Sequence, residues 1–213
     1  MDKESTEILY KTDISYLEKD LYKDGFLQVK PFSYFKDIPR NDLMYFFNRH
    51  GIYVYPTLEL IEWLKKNIVG SAIEIGAGHG TISRTLGIPI TDNRMQEWPE
   101  IKLYYEACGQ PVIKYNDDVE RLTAEDAINK YKPDTVIGTF ITQLWTPETK
   151  DGNAYGVNEI KILQQVKKYI LVINLYTHRN KLILIKPHEE YYFDWLITRA
   201  KDPSLNRIVI FNK

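Results

Sequence analysis

Two rhythms of apolar residues alternate along this chain. Short runs rich in β-branched residues occupy 72–75, 87–92, 110–115, 134–141, 170–176, 181–186 and 207–211, and each reads as a strand. Between most of them apolar residues recur every three or four positions. This spacing predicts helices through Ile14, Leu17 and Leu21, over 37–50, 57–68, 81–86, 95–108, 123–131 and 159–169, and a weaker one over 189–200. Asp37, Thr57 and Thr123 are the expected caps, and Pro99 limits the 95–108 helix to starting near that point. Strands alternating with helices predict an α/β fold: a doubly wound, mostly parallel seven-stranded sheet covered on both faces. With no clear helix between the fifth and sixth runs, the end of the sheet is expected to carry an antiparallel C-terminal strand. Residues 57–213 form the expected domain. Residues 1–56 read as a helical, aromatic-rich N-terminal extension or lid, carrying Tyr10, Tyr16, Tyr22, Phe26, Phe32, Tyr34 and Phe35.

The stretch 71–87 organises the rest. A buried-type strand, Ala72–Ile75, runs straight into glycines at 76, 78 and 80, and a helical pattern follows. Glycines there let the backbone take positive φ and let a ligand lie against bare main chain. A dinucleotide loop requires Gly-x-Gly-x-x-Gly, whereas here the glycines alternate and Thr81 follows Gly80, and no Gly-Lys-Ser/Thr phosphate loop is present. Asp92 ends the second strand, 18 positions beyond Glu74 (92 − 74), where a carboxylate accepts from both hydroxyls of a ribose. Asp117 and Asp118 follow the third strand, where an aspartate accepts from an exocyclic amine of adenine. The segment 142–158, a long connection containing Gln143 and Trp145, has the length of a functional loop.

Composition narrows the partners. The chain has 213 residues, a net charge of −1 and a pI near 6.4, which gives no electrostatic reason to expect nucleic acid or an anionic membrane. Its 16 tyrosines serve either as core and interface side chains or as the walls of a cleft for a flat or cationic ligand. One cysteine, Cys108, excludes an internal disulfide and a CxxC metal site. The four histidines, His50, His79, His178 and His188, have no metal-ligand spacing, so no metal is expected. A polar N-terminus and the lack of a long apolar stretch lead to the expectation of a cytoplasmic protein.

With Glu74 followed by Gly76, Gly78 and Gly80, the chain resembles the class I S-adenosylmethionine-dependent methyltransferases over roughly 57–213, a Rossmann-like family. The resemblance implies S-adenosylmethionine (SAM) as cofactor and a small molecule or protein side chain as methyl acceptor. It implies that Glu74, the glycine loop and His79 surround the methionine half, that Asp92 holds the ribose, and that Asp118 with Val119 holds the adenine. Tyr53, Tyr55 and Thr57 would form a lid. His178, after the fifth strand, is the candidate base, and Gln143 stands where the family places its acceptor pocket. The chain departs from the family in having Gly138-Thr-Phe-Ile-Thr-Gln after the fourth strand instead of Asn/Asp-Pro-Pro-Tyr/Phe, which removes the best clue to the acceptor. Two other readings stand beside methyl transfer: a non-catalytic binding module on this fold, and an enzyme that cleaves SAM.

Overall fold

The computed structural model describes residues 12–149 and 152–213; Tyr10 and the start of the N-terminal extension lie outside these. The described residues open with helix α1 (Ser15–Leu21), a hairpin of β1 (Tyr22–Lys23) and β2 (Phe26–Leu27), and helix α2 (Arg40–Arg49). Their apolar side chains, Leu17, Leu21, Phe35, Phe46, Phe47 and Tyr55 among them, make a cluster of their own. Pro39, not Asp37, occupies the N-cap of α2, and no side chain caps it.

Helix α3 (Leu58–Asn67) is capped by the Thr57 hydroxyl, which accepts from Leu60 N–H at 3.2 Å. Then follow β3 (Ala72–Ile75), α4 (Thr81–Leu86), β4 (Thr91–Asp92), α5 (Pro99–Ala107), β5 (Glu120–Arg121), α6 (Ala124–Tyr131, capped by Thr123), β6 (Thr135–Thr139), α7 (Glu159–Gln165), β7 (Lys168–Asn174), β8 (Glu189–Tyr191) and β9 (Asn206–Asn212). Five of these strands share one sheet in the order β3-β6-β7-β9-β8. Strands β3, β6 and β7 pair in parallel, while β9 runs antiparallel to both its neighbours. The remaining two, β4 and β5, form a separate parallel ladder that touches β3 through the single bridge Glu74–Ile90.

Alternation along the strands covers the sheet on both sides. Tyr169, Leu171, Ile173, Val136 and Val209 pack under Ala127 and Ile128 of α6 and Ile162 of α7. Ile170, Val172, Ile137 and Ile208 pack under Leu60, Ile61 and Leu64 of α3.

Three predicted elements take other forms. The run 110–115 is no strand: Gln96 Oε1 accepts Ile113 N–H at 2.8 Å, so that donor never reaches a ladder, and β5 forms further on. Residues 181–186 make a 3₁₀ turn, Leu182–Ile185, because Gln143 Oε1 accepts Leu182 N–H and Lys181 C=O accepts Leu184 N–H. The segment 189–200 is not a helix. Glu189–Tyr191 pairs with β9, and Phe193 stacks on Trp195 at 4.3 Å, using the β preference of an aromatic-rich run.

Candidate functional site

Every glycine of the 76–80 loop sits in left-handed backbone, with φ of +59°, +58° and +72°. Space adds to the requirement at two of them. A Cβ on Gly76 would lie 2.5 Å from Ile141 Cδ1, and one on Gly80 would lie 2.4 Å from Ile90 Cγ2. Gly80→Ala is therefore expected to cost at least about 1–2 kcal/mol from the left-handed conformation alone. Urea unfolding checks this; a variant as stable as the parent would show that the loop relaxes freely.

Asp92 fastens this loop. Its Oδ2 accepts Gly78 N–H at 3.0 Å and its Oδ1 accepts Arg94 N–H at 2.7 Å. Burial pushes its carboxyl up, opposed by those two backbone donors and the Tyr115 hydroxyl. Ala77 N–H donates to Thr91 C=O, so β4 supports the loop at two adjacent points.

Glu74 is 1% exposed in the middle of β3. It accepts from Ser83 N–H at 3.2 Å and from the Ser83 hydroxyl, with the Thr139 hydroxyl at 3.4 Å. Burial nevertheless dominates and pushes its pKa up to about 7. The folded state thus holds a proton that the unfolded chain releases near 4.5, and stability falls as pH rises from there to about 7. At 1.36 kcal/mol per pH unit the loss is about 3 kcal/mol. Glu74→Gln keeps an acceptor for Ser83 and removes the titration. Buried His79 and His178, lowered to about 4, make stability rise with pH in both proteins, so the difference between the two isolates Glu74. From pH 5 to pH 8 the unfolding free energy of the parent should fall relative to that of the variant, and equal pH dependence would show that Glu74 does not hold the proton.

Two cavities open beside the loop. The smaller, about 40 Å³, is lined by Glu74, His79, Thr81, Thr139 and Tyr53 among others. The larger cleft, about 690 Å³, runs from Asp92 to the 154–158 segment and has the size of a small-molecule site. Six rings line it: Tyr53, Trp98, Tyr105, Tyr115, Phe140 and Tyr155. Trp98 meets Tyr155 edge-on at 4.6 Å, and the Tyr53 and Tyr105 hydroxyls stand 3.5 Å apart. Phe140, just past β6, holds left-handed backbone at φ +54°, an arrangement found at constrained functional positions. Helix α5, which supplies Tyr105, has no fully buried residue.

The structure sorts the residues expected from sequence. Glu74, Gly76, Gly78, His79 and Asp92 line one cavity or the other, and Gly80 stands at the loop's end as the N-cap of α4. Asp118 and Val119 line neither. The Asp118 carboxylate pairs with the Arg84 guanidinium at 2.6 and 2.7 Å, which holds it below its usual range, and Val119 is buried. Tyr115 and Leu122 stand on that wall instead. Tyr55 and Thr57 are also elsewhere: the Tyr55 hydroxyl donates to Gln28 C=O within the N-terminal cluster, and Thr57 is the buried cap of α3. Of the expected lid, Tyr53 alone reaches the site. Arg199 lies 3.4 Å over its ring and Arg199 N–H donates to its carbonyl.

His178 and Gln143 line neither cavity. His178 Nδ1 lies 3.1 Å from both the N–H and the C=O of Asn174, and its ring meets Phe140 edge-on at 4.8 Å. Burial and the nearby Lys181 push its pKa down to about 4, so it is neutral at physiological pH. Gln143 spends its amide on Asn180 C=O and Leu182 N–H. Trp145 is exposed. Among the described residues no three His, Cys, Asp or Glu side chains are grouped to hold a metal, and no helix is long and apolar enough to cross a membrane.

No protein-family model matches the chain, and no curated protein sequence matches it. Solved structures give weak likenesses. SMU.776, named as a methyltransferase and solved with SAH, is 8% identical with a TM-score of 0.38, over 71% of this chain and 48% of that one. A mutant of MtNAS is 16% identical with a TM-score of 0.39, over 83% and 66%. The bifunctional kinase-methyltransferase WbdD is 12% identical with a TM-score of 0.35, over 94% and 46%. This chain thus spans less than two thirds of each of these proteins, and about half of the first. Likeness of this degree fixes neither ligand nor reaction.

Proposed function

We propose that this chain binds SAM across the ends of β3 and β4 and transfers its methyl group to a small molecule or protein side chain. The observation that carries the reading is the left-handed Gly76-x-Gly78-x-Gly80 loop, tied to the Asp92 carboxylate at the end of the neighbouring strand. Reading the β4–β5 ladder as a continuation of the sheet gives β5-β4-β3-β6-β7-β9-β8, seven strands whose order reverses between β3 and β6. Ligands of open α/β sheets lie at such a switch point, beyond the strand ends.

The residues present suit the cofactor. The glycines leave a cradle of bare main chain at Gly78, whose nearest neighbour to an added Cβ is Ile113 at 3.6 Å. A carboxylate has roughly four acceptor sites. Backbone N–H groups take one on each Asp92 oxygen and the Tyr115 hydroxyl takes a third, so ribose hydroxyls would use the last and displace Tyr115. The aromatic wall of Tyr53, Trp98, Tyr105 and Phe140 supplies a dry surface for a flat group. SAM supplies an electrophilic methyl on a sulfonium, displaced in line, so catalysis by the chain rests on positioning and on excluding water.

One observation favours a second reading, a non-catalytic SAM-binding module: the candidate base His178 and its companion Gln143 both spend polar atoms on backbone and line neither cavity. Titration calorimetry with SAM and S-adenosylhomocysteine (SAH) tests both. Saturable binding of each is expected, and failure to bind either overturns the donor assignment. Methyl transfer from labelled SAM to candidate amines, hydroxyls and thiols then separates enzyme from module.

A further inference from the structure

The larger cleft holds no ready base. Among its described lining residues there is no His, Lys or Cys. Burial keeps the Tyr105 and Tyr115 hydroxyls protonated well above their usual range. The cleft's carboxylates are engaged: Asp92 by the Gly78 and Arg94 N–H groups, Asp126 by the Thr123 hydroxyl and Glu125 by Lys161. Glu74 and His79 line only the smaller cavity, whose 40 Å³ admits no acceptor-sized molecule. A neutral acceptor needs a base to take its proton, whereas one that is already an anion needs none.

The same cleft carries donors where it meets the glycine loop. Tyr53, with Gly76, Ile113 and Thr139, lines both cavities, and its hydroxyl stands 3.5 Å from that of Tyr105. At that separation the pair shares at most one weak hydrogen bond, so at least one hydroxyl proton stays uncommitted. Arg199 lies 3.4 Å over the Tyr53 ring, and its charge also acts on Tyr105, against the effect of burial. A cation on a ring face draws electron density from the ring and makes its hydroxyl a stronger donor. Arg199 forms no ion pair with any described residue, so no carboxylate neutralises it by contact.

We propose that Tyr53 and Tyr105 clamp a carboxylate with their hydroxyls, that Arg199 supplies the charge beside them, and that the methyl acceptor of this cleft is a flat carboxylic acid. This rests on the SAM reading and deepens it by naming the acceptor. One carboxylate oxygen accepts from the two hydroxyls. The other gives a lone pair to the methyl carbon, forming an O–CH₃ bond while the C–S bond breaks and its electron pair returns to sulfur. The charges of carboxylate and sulfonium cancel, the products are a methyl ester and SAH, and no proton moves. Trp98, Phe140 and Tyr155 give the flat body its dry surface.

The test compares benzoate with benzamide, its neutral isostere, by calorimetry on the full chain, alone and saturated with SAH. The parent should bind benzoate at least about tenfold more tightly than benzamide, because hydrogen bonds to a charged group are the stronger ones. Tyr105→Phe, Tyr53→Phe and Arg199→Gln should each weaken benzoate by about tenfold and benzamide by less than about twofold, so the preference collapses. Benzamide binding that persists also shows that each variant is folded. Equal affinity of the parent for both probes overturns the proposal, as does a preference kept in all three variants. With methyl-labelled SAM, the parent and benzoate should yield label that mild alkali releases as methanol, the mark of an ester. Transfer confined to amines, hydroxyls or thiols overturns the acceptor. If SAH binds and benzoate does not, the carboxylate proposal falls and the SAM reading stands. If benzoate is preferred and SAH does not bind, the clamp stands, while the SAM reading falls and the acceptor assignment with it.

Discussion

Lys181→Met is expected to destabilise the protein by about 3–5 kcal/mol, the cost of leaving a buried charge without its partner. Lys181 Nζ and Glu159 Oε2 stand 2.6 Å apart with both side chains only 3% exposed. The Tyr169 hydroxyl donates to the other Glu159 oxygen at 3.2 Å. Burial pushes Lys181 down and Glu159 up, each against the attraction of the other. Methionine fills most of the lysine's volume, so the loss comes from Glu159 and not from a void. The double variant Glu159→Met, Lys181→Met removes both charges and should regain most of the stability, since well-packed apolar replacements of buried pairs are often neutral. Urea unfolding of the two single variants and the double variant completes the cycle. A loss under about 1 kcal/mol in Lys181→Met would place the pair among weak surface-like bridges.

The effect reaches the cleft. Lys181 lies in the 178–182 turn, where Asn180 and Leu182 hold the Gln143 amide and His178 packs on Phe140. Gly156 lies so close to Gln143 that an added Cβ would be 2.1 Å from its carbonyl oxygen. The buried pair thus locks the turn that backs the aromatic wall. His178 packs behind Phe140, and Gln143 lies against Gly156 and bridges to Val157.

The parts of this site set by local chemistry were legible in the sequence. Alternate glycines after a four-residue apolar run place a left-handed loop at the end of β3, and Thr57 and Thr123 mark helix starts by bonding three residues on. Asp92 was legible for a related reason, because a carboxylate at a strand's end lies beside the preceding loop. The elements that escaped are those where a side chain from a distant segment captures a backbone donor. Gln96 takes Ile113 N–H over 17 positions and Gln143 takes Leu182 N–H over 39, and no periodicity records such bonds. Tyrosine content leaves core packing and a ring-lined cleft as alternatives and chooses no rings. Tyr53 reaches the site while Tyr55 packs in the N-terminal cluster, and both are held by the pairing of 53–55 with 197–199, a contact between distant parts of the chain that no local pattern records.

Asp92→Ala is the decisive variant for the donor site. Hydrogen bonds to a charged group contribute about 1.5–3 kcal/mol, so SAH affinity should fall roughly 10- to 150-fold. The same variant strips Gly78 N–H and Arg94 N–H of their acceptor, so the ligand-free protein should also lose about 1–3 kcal/mol of stability. Asp92→Asn separates these roles poorly, and for a definite reason. Each carboxylate oxygen already faces a backbone donor, so an amide must turn its NH₂ toward either Gly78 N–H or Arg94 N–H. Asparagine should therefore destabilise the loop nearly as much as alanine, which sets Asp92 apart from a carboxylate that only meets ligand. A variant pair that binds SAH like the parent would remove the ribose assignment. A pair that loses binding while asparagine retains full stability would show that the loop is held by something other than this carboxylate.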